Sequence, residues 1–140
     1  MFKSSIFVKS GQREYRFKNR ITSLGYRYYY NRFINHTPIE PLYFGVINAD
    51  TYLSNQDIFD ELTNYTQPAR PLWDYIFQST FSIINPELVN FNFNSKVNII
   101  GIFLCNSSYK LSMPLNVYNT VFFDFPVHSS QISLSYEVFV

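Results

Sequence analysis

Positively charged and aromatic side chains are interleaved between residues 13 and 36, and together they suit the binding of anions that carry flat groups. The segment reads REYRFKNRITSLGYRYYYNRFINH. Arginine and lysine neutralise phosphates, and aromatic rings stack on nucleic-acid bases. Arginine also stacks on aromatic rings at protein interfaces. The segment predicts a surface for nucleic acid or for an acidic protein partner. A strand with its aromatics in a core and its charges in water fits the pattern equally well.

Nine residues of this segment are the predicted binding residues. The cations are Arg13, Arg16, Lys18, Arg20, Arg27 and Arg32, and the aromatic contact area comes from Tyr28, Tyr29 and Tyr30. Side chains alternate between the two faces of a β-strand. The alternation predicts one face that carries Arg16, Lys18 and Arg20. The opposite face then carries Tyr15, Phe17 and Ile21.

Charge is divided unevenly along the chain. Residues 1–36 contain eight Lys or Arg and one acid, a net charge of +7. Residues 37–140 contain three Lys or Arg and nine acids, a net charge of −6. Such an asymmetry indicates a basic segment joined to a neutral or acidic body. We therefore predict two parts of a single domain, a basic aromatic arm or hairpin over 1–36 and a β-rich body over 37–140.

Residue types that carry catalysis or bind metals are sparse. The chain has one cysteine, Cys105, in an apolar stretch, and two histidines, His36 and His128, without the spacing of a metal pair. Its four glycines form no phosphate-binding loop, and no G-x-S-x-G motif occurs. The acids Asp57, Asp60 and Glu61 fit a solvated helix face. We therefore predict no enzymatic activity, no metal site and no cofactor.

Local signals before residue 88 predict a hairpin and a helix. Residues 13–21 and 26–34 are predicted as the two strands of a basic aromatic hairpin, with a turn glycine between them. Ser54 is a good N-cap for a helix over 55–64, with an apolar face. Residues 1–12 are predicted as an extended arm or short strand, and 42–47 as a short strand. Residues 75–84 fit an aromatic strand, with a second short helix from Pro71 as the alternative.

The pattern after residue 88 is that of β-strands. Apolar residues alternate with polar ones over 89–99 and again over 132–140. Residues 109–113 and 117–125 are predicted as strands that end at Pro114 and Pro126. The fold class is therefore mainly β, an antiparallel sandwich or jelly-roll-like domain with one or two short helices. No apolar run approaches the roughly 20 residues of a transmembrane helix, so no membrane span is predicted.

Aromatic residues are too numerous for one core. The chain has fifteen Phe and twelve Tyr among 140 residues, so part of this apolar area must reach the surface. Large exposed apolar patches mark interaction surfaces, where tyrosine is favoured because it keeps one polar end. Few lysines protect the strand edges. We therefore predict a homo-oligomer or a subunit of a large assembly, in which neighbours cover these patches and edges.

The order of segments resembles that of single jelly-roll capsid proteins of small viruses. A basic N-terminal segment precedes a β domain, and the closing stretch 130–140, SQISLSYEVFV, looks like the last strand of that fold. Residues 54–99 are similar to the same family in their succession of short helix, proline-rich loop, aromatic segment and strand. The resemblance implies a self-assembling virion protein whose residues 1–36 contact RNA, single-stranded DNA or a neighbouring subunit.

Two other functions fit the same residues. Low alanine with abundant Phe, Tyr, Ile and Asn is typical of AT-rich genomes, so the chain is alternatively an organelle-encoded, mitochondrial subunit of a ribosome or respiratory complex. A small soluble enzyme is the third alternative, and no motif supports it. Virion and mitochondrion are the corresponding predicted locations.

Overall fold

Nine antiparallel strands and one short helix make up the part of the chain that the structure, a computed structural model, describes: residues 2–18, 20–35, 40–52, 60–114 and 116–140. The strands are β1 Lys3–Ser10, β2 Arg13–Lys18, β3 Arg20–Ile21, β4 Tyr43–Asn48, β5 Glu61–Leu62, β6 Ile76–Ser79, β7 Ser82–Ile84, β8 Val89–Cys105 and β9 Val117–Phe139. Helix α1 spans Ser23–Tyr30 and continues into a π-helical turn, Asn31–Asn35.

The long strands β8 and β9 form the central hairpin of the sheet. They pair from Val89 and Leu134 at one end to Cys105 and Val117 at the other. On the side of β8, the sheet continues through β4 to β5, and on the side of β9 it continues through β1 to β2. β3 and β7 also pair with β9, and β6 pairs with β7. β9 therefore organises most of the chain.

Side chains from both sides of the central hairpin meet in one core. Ile6 and Val8 of β1 belong to the same buried cluster as Phe44 and Val46 of β4. Because β1 and β4 extend the sheet in opposite directions, a shared core requires the sheet to curve until its two wings face each other. The prediction of a mainly β, antiparallel, sandwich-like fold is confirmed.

Several predicted strands are present. The alternating stretch over 89–99 lies in β8, the closing stretch lies in β9, and residues 42–47 largely coincide with β4. Residues 75–84 form the β6–β7 hairpin, so the alternative of a second helix from Pro71 is wrong. Alternation of buried and exposed side chains along β9 over 132–139 matches the sequence pattern. Period-two patterning therefore located the strands that have one face in the core.

Pro126 does not end a strand as predicted, because β9 runs through it inside a bulge. Between the pairs Gly101–Phe122 and Ile99–Val127, β8 has one residue and β9 has four. Proline has no N–H for a sheet ladder, and a bulge tolerates it. The bulge brings β9 against β2, where the rings of Phe17 and Phe123 stack with centroids 4.6 Å apart.

The predicted strand over 26–34 is wrong, and with it the predicted hairpin, because this segment is helical. Thr22 caps the helix with its hydroxyl oxygen, which accepts a hydrogen bond from the Gly25 N–H at 3.0 Å. Tyr29 and Phe33 are buried four residues apart, which is the spacing of a helix face. β2 instead pairs with β1, residue Phe17 opposite Ile6.

Residues 2–18 and 20–35 are built into the sheet and its core and do not project as an arm. β1 lies between β2 and β9, and Phe2, Ile6 and Val8 are buried. The described cations of β1, β2 and α1 therefore belong to the same packed unit as the described part of the body.

Two further predictions are wrong within the described residues of the body, namely the end of the helix over 55–64 and the strand over 109–113. Residues 55–59 of the predicted helix lie outside the described residues, and Glu61–Leu62 form β5, paired with β4. The predicted strand over 109–113 is irregular, and one of its side chains binds the backbone of another segment. Lys110 Nζ donates hydrogen bonds to the carbonyl oxygens of Tyr65 at 2.8 Å and Gln67 at 2.7 Å.

Candidate interaction surfaces

β1 and β2 place cations side by side on the solvent-facing side of the sheet. Arg16 and Lys18 are exposed, whereas Phe17 between them is buried, so the predicted sorting of these residues into two faces is confirmed. Arg16 lies opposite Phe7 of β1, and its guanidinium carbon is 5.2 Å from the centre of the Phe7 ring. The side chain of Arg20 lies outside the described part of the chain.

The structure adds two lysines to this surface. Lys3 and Lys9 are exposed on β1, on the same face as half-buried Ser5 and Phe7, whereas Ile6 and Val8 face the core. We define the outer basic face as Lys3, Lys9, Arg16 and Lys18. Two acids border it: Glu14 lies opposite Lys9, and Glu137 of β9 lies opposite Ser5. The alternation that identifies Arg16 also identifies both lysines if 1–12 is a strand, which is one of the two predictions for that segment.

The remaining predicted cations point elsewhere. Arg13 is the first residue of β2 and lines a cleft on the other side of the strand. Arg27 is exposed on α1, and Arg32 on the π turn places its guanidinium carbon 4.8 Å from the ring centre of Phe77. The structure therefore divides the five predicted cations whose side chains it describes among separate places and does not form one strip from them.

Two of the three predicted contact tyrosines are buried. Tyr29 is fully buried and accepts a hydrogen bond from Asn119 Nδ2 at 2.7 Å, and Tyr28 donates its hydroxyl hydrogen to the carbonyl oxygen of Glu40 at 3.0 Å. Burial raises the pKa of both phenols above the ordinary value. Helical spacing turns them to the core, so their prediction as contact area is wrong. Tyr30, in contrast, is 42% exposed.

An apolar patch runs from α1 to β6. Tyr26, Tyr30 and Ile34 are exposed and follow one another at intervals of four residues. β6 contributes exposed Ile76 and Phe77, and the rings of Phe77 and Phe33 are 5.7 Å apart, which joins the strand to the π turn. We call Tyr26, Tyr30, Ile34, Ile76 and Phe77 the helix–strand patch. Its signal in the sequence is the four-residue spacing, which the predicted hairpin obscured.

A second group of exposed apolar residues is held on the loop between β8 and β9. Tyr109, Leu111 and Met113 are exposed, Met113 to 86%. The loop is fixed from below, since Arg70 donates hydrogen bonds to the carbonyl oxygens of Ser107 at 2.9 Å and Ser112 at 2.8 Å. The side chains at its tip are therefore presented by an ordered backbone.

A cleft of about 420 Å³ lies where the β1–β2 turn meets the bulge of β9. Ser10, Gln12, Arg13, Tyr15, Phe125, Pro126, Val127 and His128 line it. Its volume falls in the range of small-molecule sites, about 300–1,000 Å³. It combines one cation with two aromatic rings, which is the mixture that sequence reasoning assigned to the whole segment 13–36.

Two kinds of feature are absent from the described residues. No group of three or more His, Cys, Asp or Glu within them is arranged to hold a metal ion. None of the helices there has the length and apolarity needed to cross a membrane. Compared with protein-family models, with curated proteins and with solved structures, the chain matches none.

Proposed function

We propose that this protein is a structural subunit that assembles with further copies of itself, and that the helix–strand patch is a contact between copies. The observation that carries the proposal is the exposed apolar row of α1 and the π turn beside an open strand. All four residues of β6 are exposed, and β6 pairs with β7 alone among the described strands. Soluble monomers usually cover or charge such an edge.

A second copy of the chain fits this patch better than a foreign partner because the chain carries both signs of charge in separate segments. Residues 1–36, which include α1, have a net charge of +7, and residues 37–140 have −6. Surfaces of opposite sign on one molecule favour contact between copies. Two further strands, β2 and β5, end the sheet, so contacts through several edges are available to each subunit.

A viral shell is the assembly that we propose first, with the virion as the location. Support comes from the mainly β fold and from the surplus of exposed aromatic and aliphatic side chains. The alternative is a subunit of a mitochondrial complex, in which other proteins would cover the helix–strand patch in place of further copies of this chain. Purified protein that forms large homogeneous particles by itself would favour the shell.

Mass measurement in solution tests self-assembly. Light scattering coupled to gel filtration should give a mass above 16.6 kDa that rises with concentration for the unaltered chain. Ile34→Asp and Ile76→Asp, both at exposed positions, should shift the distribution to the monomer, because each places a charge in the apolar contact. Ser130→Asp, at an exposed position of β9, is the matched control and should assemble normally. A monomer at every concentration, or assembly by both patch variants, would refute the proposal.

The outer basic face supports a second candidate function, the binding of a polyanion such as single-stranded nucleic acid. Four cations on two adjacent strands lie around Phe7, with two acids at the border. Binding of a labelled twelve-nucleotide strand should weaken with salt, and Arg16→Gln with Lys18→Gln should reduce the slope by about one for each cation removed. Arg27→Gln, which changes the same charge on α1, should retain the slope. Equal slopes in all three proteins would remove this candidate.

A further inference from the structure

The cleft beside the bulge has a built aromatic wall. Phe125 is 46% exposed, and its ring meets Tyr15 edge to face at 5.2 Å and Phe17 at 5.4 Å. These contacts hold the Phe125 ring in place while leaving part of it open. The wall exists because the bulge sets four residues of β9 against one of β8, and the rings of Phe123 and Phe125 in it pack against β2. A preorganised open ring binds a flat ligand with little loss of side-chain freedom.

Arg13 places a cation beside this aromatic wall. Arg13 lies opposite Ser10 at the end of the β1–β2 pair, next to the turn that Gly11 makes with a positive φ of 60°. Arg13 is exposed and lines the cleft together with Tyr15. A guanidinium group binds phosphate through two parallel hydrogen bonds. The cleft therefore offers an anion site at Arg13, two residues from Tyr15 of the aromatic wall.

His128 supplies a directed polar group on the remaining side. Its Nδ1 lies 2.6 Å from Asn98 Oδ1, and Asn98 Nδ2 donates to Asp50 Oδ1 at 2.9 Å. Because the amide is fixed by Asp50, its oxygen faces the histidine and must accept from Nδ1–H. The second ring nitrogen, Nε2, is then available for a hydrogen bond, and it has no partner among the described residues. In the neutral ring Nε2 accepts a hydrogen bond, as from the amino group of a base.

We propose that this cleft binds one nucleotide, with the base against Phe125, the phosphate at Arg13 and a base amino group at His128. An aromatic wall, a guanidinium and an imidazole acceptor match the three chemical parts of a base joined to a phosphate. A purely apolar ligand would form no hydrogen bond with Arg13 or His128. The site lies on the other side of β2 from the outer basic face and depends neither on self-assembly nor on that face.

Titrations with fragments of a nucleotide test the assignment. The probes are AMP, adenosine without the phosphate and ribose 5-phosphate without the base, followed by amide chemical shifts of the labelled protein. AMP should give saturable shifts at Arg13, Phe125 and His128, with weaker binding of both fragments. Arg13→Gln should weaken AMP by about tenfold and leave adenosine unchanged, since only the phosphate contact is lost. His128→Ala should weaken adenosine and leave ribose 5-phosphate unchanged.

A nucleic-acid strand and a free nucleotide would both offer a base and a phosphate to this cleft. A second probe distinguishes the two ligands. A labelled ten-nucleotide oligo(dA) is compared with AMP on the same variants. Saturation by AMP with no added affinity for the oligonucleotide identifies a free-nucleotide site. If the oligonucleotide binds more tightly than AMP and Arg13→Gln lowers its affinity, the cleft is a site for one nucleotide of a nucleic-acid strand. Arg27→Gln is the control of equal charge change and should match the unaltered protein with both probes.

The proposal is overturned if neither probe moves the amide signals of the cleft, or if ribose 5-phosphate binds as well as AMP. It is also overturned if Arg13→Gln and Arg27→Gln bind AMP equally. Both substitutions replace exposed side chains, so an unchanged amide spectrum outside the cleft verifies the fold in each. Loss of self-assembly in the separate patch variants would leave these results unaffected.

Discussion

Arg70 and Glu61 form an ion pair with two hydrogen bonds in the interior of the protein. Arg70 Nε lies 2.8 Å from Glu61 Oε2, and a terminal nitrogen lies 2.7 Å from Oε1, with the arginine side chain fully buried. The Glu61 hydrogen bonds raise the pKa of Arg70 above its ordinary value, although burial acts in the opposite direction. With its further bonds to Ser107 and Ser112, the guanidinium joins β5 to the loop after β8.

Removal of Glu61 should leave a buried charge without a counterion. Glu61→Leu is expected to lower the free energy of unfolding by about 3–5 kcal/mol, since an uncompensated buried guanidinium is costly. Urea unfolding followed by circular dichroism measures it. Glu87→Gln, an exposed acid, should change stability by less than about 0.5 kcal/mol. The double variant with Arg70→Met should be no less stable than Glu61→Leu alone, and clear additivity would contradict the ion-pair account.

Lys110 should govern how tightly the exposed loop is held. Its ammonium group donates to two carbonyl oxygens and lies 4.3 Å from the ring centre of Tyr65. Lys110→Met keeps an unbranched side chain of similar volume and removes both hydrogen bonds, so amide exchange over 107–112 should accelerate. A loss of about 1–3 kcal/mol in local stability is expected. Exchange in β1 is the internal control, and protection that stays equal in the loop would show that Lys110 is dispensable.

The strands with one buried face could be predicted from the sequence, because alternation records burial directly. Phe17 between Arg16 and Lys18 shows this on β2, and the alternating end of β9 shows it again. The partner of each strand could not be read in this way. β2 pairs with β1, and nothing in its residues distinguishes β1 from the segment after residue 25 as a partner. Pairing depends on contacts that join residues far apart in sequence.

The candidate sites were only partly visible for the same reason. Arg13 and Tyr15 were singled out, but Phe125 and His128 complete their cleft from more than 100 residues away. The bulge of β9 that brings them together has Pro126 as its local signal, which reads equally well as the end of a strand. Arg70 carries no signal in its neighbours, since a proline-rich loop does not indicate a buried cation.

Gly25 should resist substitution although it lies in a helix, where alanine is intrinsically better by about 1 kcal/mol. A Cβ at this position would lie 2.1 Å from the carbonyl oxygen of Tyr118 on β9. Backbone cannot yield as a side chain does, so Gly25→Ala should displace α1 and destabilise the protein by about 1–3 kcal/mol. Thermal unfolding measures this change. Ser23→Ala, at an exposed position of the same helix, is the control, and a stabilised Gly25→Ala protein would contradict the close contact.

Tyr118 should make the fold sensitive to alkali. Burial, followed by the hydrogen bond from its hydroxyl to the carboxylate of Glu40, raises the pKa of Tyr118 to about 12. An unfolded tyrosine has a pKa of about 10. The folded chain therefore holds a proton that the unfolded chain releases, so the stabilisation is complete below pH 10 and is lost as pH rises toward 12. Buried Tyr28, Tyr29 and Tyr65 have pKa values raised in the same direction.

Urea unfolding across this range should resolve the contribution of Tyr118. The free energy of unfolding should fall between pH 10 and 12, and Tyr118→Phe should make that decline shallower because one of the late-ionising phenols is gone. At pH 8 the same substitution should cost about 0.5–1.5 kcal/mol, the ordinary contribution of one hydrogen bond. Tyr30→Phe, at an exposed position, should leave the decline unchanged. An identical slope for Tyr118→Phe and the unaltered protein would show that Tyr118 ionises like an exposed tyrosine.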